Sequence, residues 1–218
     1  MSKHVTQGIL IIIEGIDGAG KSTQARMLHD DLQRCGIDVV LSREPTDSKY
    51  GRKIRELAQK GREAIRPEEE YRLFMKDRKI HVDTLILPAL KDGKVVILDR
   101  YYFSTIAYQG TLGLDPAKIR QENEAFCPLP DIVLMVDIPT AIGIDRIKQY
   151  RKETPNLFEK ASYLEKVAEN MAALSDDFIV RIDGSGNLKD VQRRIRAHVE
   201  PLLKKIAHSP SQTSKKTA

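Results

Sequence analysis

The chain of 218 residues, 41% hydrophobic and 31% charged, has the length and composition of a single globular domain with a substantial core. Its longest apolar run is far shorter than the roughly 18 residues that span a membrane, and two cysteines, Cys35 and Cys127, are too few for a disulfide framework and fit a reducing compartment. The net charge of +5 owes four positive charges to lysines after residue 200, where no acid occurs, so the rest of the chain is near +1 and gives no sign of a nucleic-acid partner.

Short runs rich in Ile, Val and Leu alternate with longer helical patterns, which is typical of βαβ units around a parallel sheet. The runs predict strands at 9–14, 38–42, 94–98, 132–137 and 178–182. The longer patterns predict helices at roughly 21–35, 51–60, 67–90, 101–109, 116–126, 140–151, 159–174 and 187–206. We therefore expect an α/β protein, a three-layer sandwich in which helices cover both faces of a five-stranded parallel sheet.

The two ends of the chain carry little structural signal. Residues 1–7 lack the basic and then apolar segments of a secretory signal peptide, so we expect a cytoplasmic protein with no membrane partner. Residues 1–206 are predicted to form one domain. Residues 207–218 are basic and rich in Ser and Thr, and this tail is predicted to be disordered.

The most informative segment follows the first predicted strand. Residues 15–22 read Gly-Ile-Asp-Gly-Ala-Gly-Lys-Ser and match the phosphate-binding P-loop pattern G-x-x-x-x-G-K-[ST]. Lys21 is predicted to hold the β- and γ-phosphates of ATP, and the Ser22 hydroxyl to ligate Mg²⁺. The residues expected around ATP are Gly15, Ile16, Asp17, Gly18, Ala19, Gly20, Lys21, Ser22 and Thr23. This motif predicts a P-loop NTPase fold without choosing among kinase, GTPase and ATPase, although no Asn-Lys-x-Asp motif of a GTPase is present.

Charged residues follow the second and third predicted strands. Arg43-Glu44-Pro45 and Asp99-Arg100 stand at the carboxyl ends of two strands, where ligands of parallel sheets bind, so both should converge on the P-loop. Val95–Asp99 has the Walker-B pattern, with Asp99 near Mg²⁺, and Arg100 suits a phosphate clamp. A strand-end salt bridge is the alternative for this pair.

Two further segments carry candidate chemistry. Phe74 and Arg78 share one face of a predicted helix, where they could stack on a base and bind its edge; alternatively, Phe74 lies in the core and Arg78 pairs with Asp77, Glu70 or Asp83. Residues 146–160 run from a basic helix end into a Pro/Asn breaker. This segment has the composition of a lid that brings Arg or Lys to the γ-phosphate, or of a solvated helix end.

Together these residues resemble the thymidylate (dTMP) kinase family. The markers are Glu14–Thr23, Arg43-Glu44-Pro45, Leu73-Phe74-x-x-Asp77-Arg78-x-x-His81-Val82, Ile86-x-Pro88-Ala89-Leu90, and Asp99–Gly110 with its Ser-Thr-x-Ala-Tyr-Gln-Gly. The resemblance implies transfer of the ATP γ-phosphoryl to dTMP with Mg²⁺, in a homodimer.

The resemblance also implies a role for individual side chains. Phe74 would stack on thymine and Arg78 would bind its O4 edge. Arg43 and Arg100 would grip the acceptor phosphate, and Asp17 would lie near that phosphate and the 3′-hydroxyl. The remaining implied pocket residues are Thr105 and Gln109, facing the pyrimidine, Tyr108, near the 2′ side of the sugar, and Ile182-Asp183-Gly184-Ser185, beside the ATP base.

The chain departs from the family pattern at three places. The P-loop has Gly18-Ala19 where some members carry a basic residue, so catalytic positive charge is expected from the lid. The lid has Asn156-Leu157-Phe158-Glu159 where many members have Asp-Arg-x-Glu. We expect Arg151 to replace the missing arginine, with Arg146 and Lys152 as the other candidates. Thr46-Asp47-Ser48 stands where Gly-Gly is common.

Lys21, Arg100, Arg151 and Asp17 are therefore the expected catalytic residues of a dTMP kinase. A deoxynucleoside kinase with Glu44 as its base is one alternative, because those enzymes also carry Glu-Pro after the second strand. A nucleotide-binding module without turnover is another, and the altered lid supports it.

Overall fold

Five parallel strands form one sheet in the computed structural model of the chain, which describes residues 8–60, 65–151 and 157–207. In chain order the strands are β1 (Ile9–Glu14), β2 (Val39–Arg43), β3 (Val95–Asp99), β4 (Ile132–Asp137) and β5 (Ile179–Asp183). Their order across the sheet is β2-β3-β1-β4-β5, and every ladder is parallel. Each strand lies within one residue of its predicted bounds.

The helices of the described residues fall between and after these strands. They are α1 (Lys21–Arg34), α2 (Lys49–Lys60), α3 (Pro67–His81), α4 (Leu87–Lys91), α5 (Tyr102–Thr111), α6 (Pro116–Glu124), α7 (Thr140–Arg151), α8 (Leu157–Ala172) and α9 (Leu188–Ala207). None of these helices is both long and apolar enough to cross a bilayer.

The predicted helix 67–90 has a π-helical segment, Val82–Ile86, between α3 and α4. The Leu87 N–H donates to Val82 O, five residues earlier, directly before Pro88, which has no N–H to donate. The predicted helix is therefore continuous in the structure, and its hydrogen bonding changes only just before the proline, which interrupts the regular ladder.

The sheet is the centre of the hydrophobic core. All residues of β1 and β3 are buried, as expected for strands covered on both faces, whereas β2 and β5 are edge strands and are only partly buried. Helices α1 and α9 pack together on the sheet, and α5 contacts α3, α6 and α8. The predicted α/β fold with a parallel sheet and surrounding helices is confirmed.

The strand order brings the carboxyl ends of β1, β2 and β3 together. In the register of the sheet, Asp99 of β3 is opposite Ile13 of β1 on one side and Arg43 of β2 on the other. The P-loop follows β1 directly. The predicted convergence of the P-loop with Arg43-Glu44-Pro45 and Asp99-Arg100 is therefore confirmed.

Candidate active site

The loop between β1 and α1 is shaped by glycine and packs tightly on its surroundings. Gly18 has φ 82°, and a Cβ there would lie 2.3 Å from Gly143 O of α7. Gly20, at φ 90°, precedes the first turn of α1, whose N-terminus faces the loop. Such a loop and helix N-terminus present backbone N–H groups to phosphate, in agreement with the sequence motif.

Lys21 lies inside this loop. Its Nζ is buried and donates to Ile16 O at 2.7 Å. Burial, followed by repulsion from Arg100, lowers the pKa of Lys21 to about 8, although Asp17 and Asp99 act in the opposite direction. A polyphosphate bound in the loop would place negative charge beside this buried ammonium.

Ser22 and Asp99 form the candidate metal site. The Ser22 hydroxyl donates to Asp99 Oδ2, and Asp99 Oδ1 is buried without a hydrogen-bond partner among the described residues. A hydroxyl beside a carboxylate with one free oxygen fits Mg²⁺ and its water shell. The described residues contain no cluster of three or more His, Cys, Asp or Glu that would hold a metal by itself.

Arg100 links the end of β3 to the P-loop. Its Nη2 donates to Asp17 Oδ1, its Nη1 donates to Ser104 Oγ at 2.7 Å, and the guanidinium carbon lies 5.1 Å from the centre of the Tyr108 ring. The Tyr108 hydroxyl accepts the Asp17 N–H at 3.1 Å. The backbone of Arg100 adopts φ 75°, which is uncommon for a residue with a Cβ. Asp17, Arg100 and Tyr108 therefore meet beside the P-loop.

The turn that carries Arg100 is held by Glu14, the last residue of β1. Glu14 is fully buried and accepts the Tyr101 N–H at 2.7 Å, the Ser104 N–H at 3.1 Å and the Ser104 hydroxyl at 2.6 Å. Burial raises the pKa of Glu14, while Arg100 and these hydrogen bonds lower it in part. Because Ser104 Oγ also accepts from Arg100, Glu14 anchors that guanidinium indirectly.

Arg78 is the largest fully buried polar side chain among the described residues. Its Nε donates to Glu44 Oε2 at 2.7 Å, its Nη1 to Asn123 Oδ1 at 2.5 Å and its Nη2 to Thr105 Oγ1 at 2.9 Å. The alternative partners considered from the sequence, Asp77, Glu70 and Asp83, do not pair with it. Asp77 instead accepts from Thr46 and Ser48, Glu70 from Gln109, and Asp83 from Lys79.

The other predicted pocket residues surround Arg78. Phe74 is half-buried on α3, one turn before Arg78, and does not belong to the hydrophobic core of the described residues. Thr105 and Gln109 are buried on one face of α5. Gln109 Nε2 donates to Glu70 Oε2 at 2.8 Å, and Gln109 Oε1 has no hydrogen-bond partner among the described residues. The structure thus brings Phe74, Arg78, Thr105 and Gln109 together between α3 and α5.

Arg43 lies at the carboxyl end of β2 but is held loosely. Its side chain is 65% exposed, and the nearest acid, Asp47, is 3.9 Å away. The segment after Pro45 is more firmly fixed, because Asp77 accepts from the Thr46 N–H at 2.8 Å and from the Ser48 hydroxyl at 2.6 Å. The Thr46 and Ser48 hydroxyl groups therefore anchor this turn.

The predicted lid, residues 146–160, is described only in part. Arg146 of α7 donates from Nη1 to Gly18 O at 3.2 Å and from Nη2 to Gly184 O at 3.5 Å, so it connects the P-loop with the loop after β5. The side chain of Arg151, the predicted catalytic lid residue, lies outside the described residues, as does Lys152.

Sequence reasoning gave no role to Glu14 or Asn123. Glu14 was visible only as an acid between a buried strand and the P-loop. Asn123 is a single amide in a polar helix, and no pattern in the sequence distinguishes it. Tyr101 and Tyr102 pack with satisfied hydroxyls, which donate to Pro128 O and to Glu124.

Comparison with known proteins agrees with this geometry. The family model described as thymidylate kinase matches residues 13–195. A curated thymidylate kinase of Desulfotalea psychrophila is 48% identical over 197 residues, covering 90% of this chain and 96% of its own. A probable thymidylate kinase of Archaeoglobus fulgidus is 42% identical, covering 89% and 96%, and a thymidylate kinase of Xanthomonas euvesicatoria is 45% identical, covering 90% and 85%. The chain therefore belongs to the thymidylate kinase family.

Proposed function

We propose that the protein transfers the γ-phosphoryl group of ATP to the 5′-phosphate of dTMP, which gives dTDP and ADP. The observation that carries this proposal is the ion pair between Asp17 and Arg100. It joins the loop expected to hold ATP to the strand end expected to hold the acceptor phosphate. A donor and an acceptor bound at these two places would have their reacting phosphates side by side.

The nucleophile in this reaction is a phosphate oxygen that is already ionised, because the second pKa of a phosphomonoester is about 6. No strong general base is required. The work of the protein is to align two polyanions and offset their repulsion. Lys21 would hold the β- and γ-phosphates, and Arg100 and Arg43 would hold the acceptor phosphate. The exposure of Arg43 leaves it free to turn toward an incoming ligand.

Mg²⁺ would be held by the Ser22 hydroxyl and, through water, by Asp99. The buried Oδ1 of Asp99, which has no hydrogen-bond partner within the described residues, supports this assignment. When bound, the ion would offset charge on the β- and γ-phosphates. The protein's own contribution is to keep Ser22 at the N-terminus of α1 and Asp99 at the end of β3.

The thymine base would lie between α3 and α5. Phe74 supplies an aromatic face that the core does not use, and Arg78 supplies N–H donors for the O4 atom. Tyr108 packs on Arg100 and would restrict space on the 2′ side of the sugar. Gln109 Oε1 is an acceptor for which the described residues supply no donor, which suits a pyrimidine N–H.

Several parts of the proposal extend beyond the described site. We propose that residues 1–206 form the kinase domain, with a lid at about 146–160 in which Arg151 reaches the γ-phosphate. Arg146 holds the start of the lid to the P-loop through Gly18 O, which supports this arrangement. Family resemblance supports a homodimer, and the sequence supports a cytoplasmic location.

The contacts of Glu44 disfavour a deoxynucleoside kinase. Such an enzyme would require a carboxylate base facing a neutral hydroxyl. Glu44 is buried, and its two oxygens are engaged by Arg78 Nε at 2.7 Å and His81 Nδ1 at 3.0 Å. It is therefore positioned to hold Arg78 rather than to accept a proton from a substrate.

The test is coupled ADP release with ATP and Mg²⁺, with dTMP, dUMP, dCMP, dGMP and thymidine offered separately. We expect turnover mainly with dTMP. Turnover with thymidine alone would make the protein a nucleoside kinase. Binding of ATP and dTMP without turnover would support a nucleotide-binding module whose altered lid has lost activity.

A further inference from the structure

The guanidinium of Arg78 is held by three different parts of the chain. Glu44 follows β2, Thr105 is in α5, and Asn123 is in α6. A guanidinium is planar and has five N–H groups, so these three bonds define its plane and leave one N–H on each Nη for a ligand.

The three partners of Arg78 have different chemistry. Glu44 supplies the negative charge that a buried guanidinium requires, and Thr105 lies in the predicted pocket itself. Asn123 supplies neither charge nor a predicted pocket contact. It is 0% exposed, and burying an amide is unfavourable unless its polar atoms are hydrogen-bonded.

The amide of Asn123 has only one orientation that satisfies its contacts. Nδ2 donates to Ile119 O at 2.7 Å, four residues earlier in α6, so Oδ1 faces Arg78 Nη1 at 2.5 Å. Helix α6 also packs against α5, which carries Thr105. Asn123 therefore presents a fixed oxygen acceptor to one side of the guanidinium.

We propose that Asn123 is a positioning residue for base recognition: it fixes the plane of the Arg78 guanidinium so that the remaining N–H donors meet O4 of the pyrimidine. The inference rests on the proposed binding of dTMP. Without the Asn123 oxygen, Arg78 retains Glu44 and Thr105 but can tilt, because its Nη1 side is no longer held. The hydrogen bond to O4 then weakens while the rest of the site is unchanged.

The test compares dTMP with 4-thio-dTMP, in which sulfur, a weaker acceptor, replaces O4. Wild-type protein is expected to favour dTMP by roughly tenfold in kcat/KM. Asn123→Leu, which has a similar size but no acceptor, is expected to reduce this preference to about twofold, mainly by raising KM for dTMP. Asn123→Asp keeps the acceptor for Arg78, although it loses the donor to Ile119 O, and should restore most of the preference. If Asn123→Leu does not fold, Asn123→Ser, whose hydroxyl is too short to reach Arg78, provides the same comparison.

The matched control is Asn170→Leu. Asn170 donates to Ala107 O at 3.1 Å and Thr111 Oγ1 at 2.9 Å, so it also bonds α5 but does not touch Arg78. It should leave the substrate preference unchanged. An Asn123→Leu variant that loses activity equally on both substrates, or keeps the full preference, would show a purely structural role. If wild-type protein turns over dTMP but does not favour it over 4-thio-dTMP, both the inference about Asn123 and the assignment of Arg78 to base recognition are overturned. If wild-type protein does not turn over dTMP at all, the proposed function itself is overturned.

Discussion

Arg78 and Glu44 form a buried ion pair with an Nε–Oε2 distance of 2.7 Å, and neither side chain is more than 3% exposed. The pair joins the last turn of α3 to the turn after β2. Burying two charges is favourable only when they are paired and hydrogen-bonded, and Asn123, Thr105 and His81 complete those bonds. The same contacts that stabilise the pair also fix the position of the guanidinium, one helical turn after Phe74.

Arg78→Ala is expected to raise KM for dTMP and to lower the free energy of unfolding by about 3–5 kcal/mol, because Glu44 would be left as a buried charge with only His81 beside it. Steady-state kinetics and urea unfolding measure the two effects. The double variant Arg78→Ala/Glu44→Gln removes this buried charge, so it should recover part of the stability without recovering dTMP affinity. An Arg78→Ala protein with full dTMP affinity would contradict the assignment of Arg78 to base recognition.

Phe74→Ala is expected to weaken dTMP binding by about 5- to 150-fold, the range for loss of one base–aromatic stack, with little change in stability. The reason is that Phe74 is half-buried and does not pack in the core. Phe103→Ala is the matched control: Phe103 is fully buried, so its loss should cost about 3–5 kcal/mol of stability. Titration of dTMP monitored by calorimetry, with thermal unfolding of both variants, checks this. Equal destabilisation by the two substitutions would place Phe74 in the core.

The sheet and the P-loop were predictable because their signals are local. A parallel strand buried on both faces is a continuous apolar run, and residues 15–22 have a fixed spacing. The partners of Arg78 were not predictable in this way. The sequence suggested that Arg78 pairs with an acid on the same predicted helix. Asp77 instead accepts hydrogen bonds from Thr46 and Ser48, and the observed partner, Glu44, lies 34 residues earlier in the chain. Asn123 gave no signal because its contact arises only when α6 packs beside α5.

Asp99→Asn is expected to raise the concentration of Mg²⁺ needed for half-maximal rate by about 10- to 100-fold, the usual effect of altering a group that orients a metal's ligands. The amide would keep the shape of the side chain and its contact with Ser22 but not the charge. Initial rates against free Mg²⁺ at saturating ATP and dTMP provide the measurement. Asp137→Asn is a suitable control, since Asp137 also ends a strand but pairs with Arg181 at 3.0 Å. If both variants respond alike to Mg²⁺, Asp99 is not part of the metal site.

Arg151→Ala is expected to lower kcat by about 10³-fold or more, if its guanidinium stabilises the transferring phosphoryl group as an arginine finger does. Arg146→Ala should instead act mainly on KM for ATP, because Arg146 contacts the backbone of the P-loop and of the loop after β5. Single-turnover kinetics separate the two effects. A normal kcat for Arg151→Ala together with a large loss for Arg146→Ala would transfer the catalytic role to Arg146.

Lys21 predicts the pH dependence of the reaction. Burial lowers its pKa to about 8 in the free protein, and only the protonated ammonium can bind phosphate electrostatically. Since the charge is present below this pKa and lost above it, kcat/KM for ATP should be constant up to about one pH unit below the pKa, reach half its value near the pKa and then fall about tenfold per pH unit. The phosphates of both substrates, with pKa values of about 6, are already ionised in this pH range, and burial raises the pKa of Tyr108 to about 12, so neither group titrates there.

Bound phosphate should raise the pKa of Lys21, so the decline in kcat should begin at higher pH than the decline in kcat/KM. Lys21→Arg, which stays charged, should lose the decline in whatever activity remains; a decline that persists unchanged in this variant would assign the titration to another group.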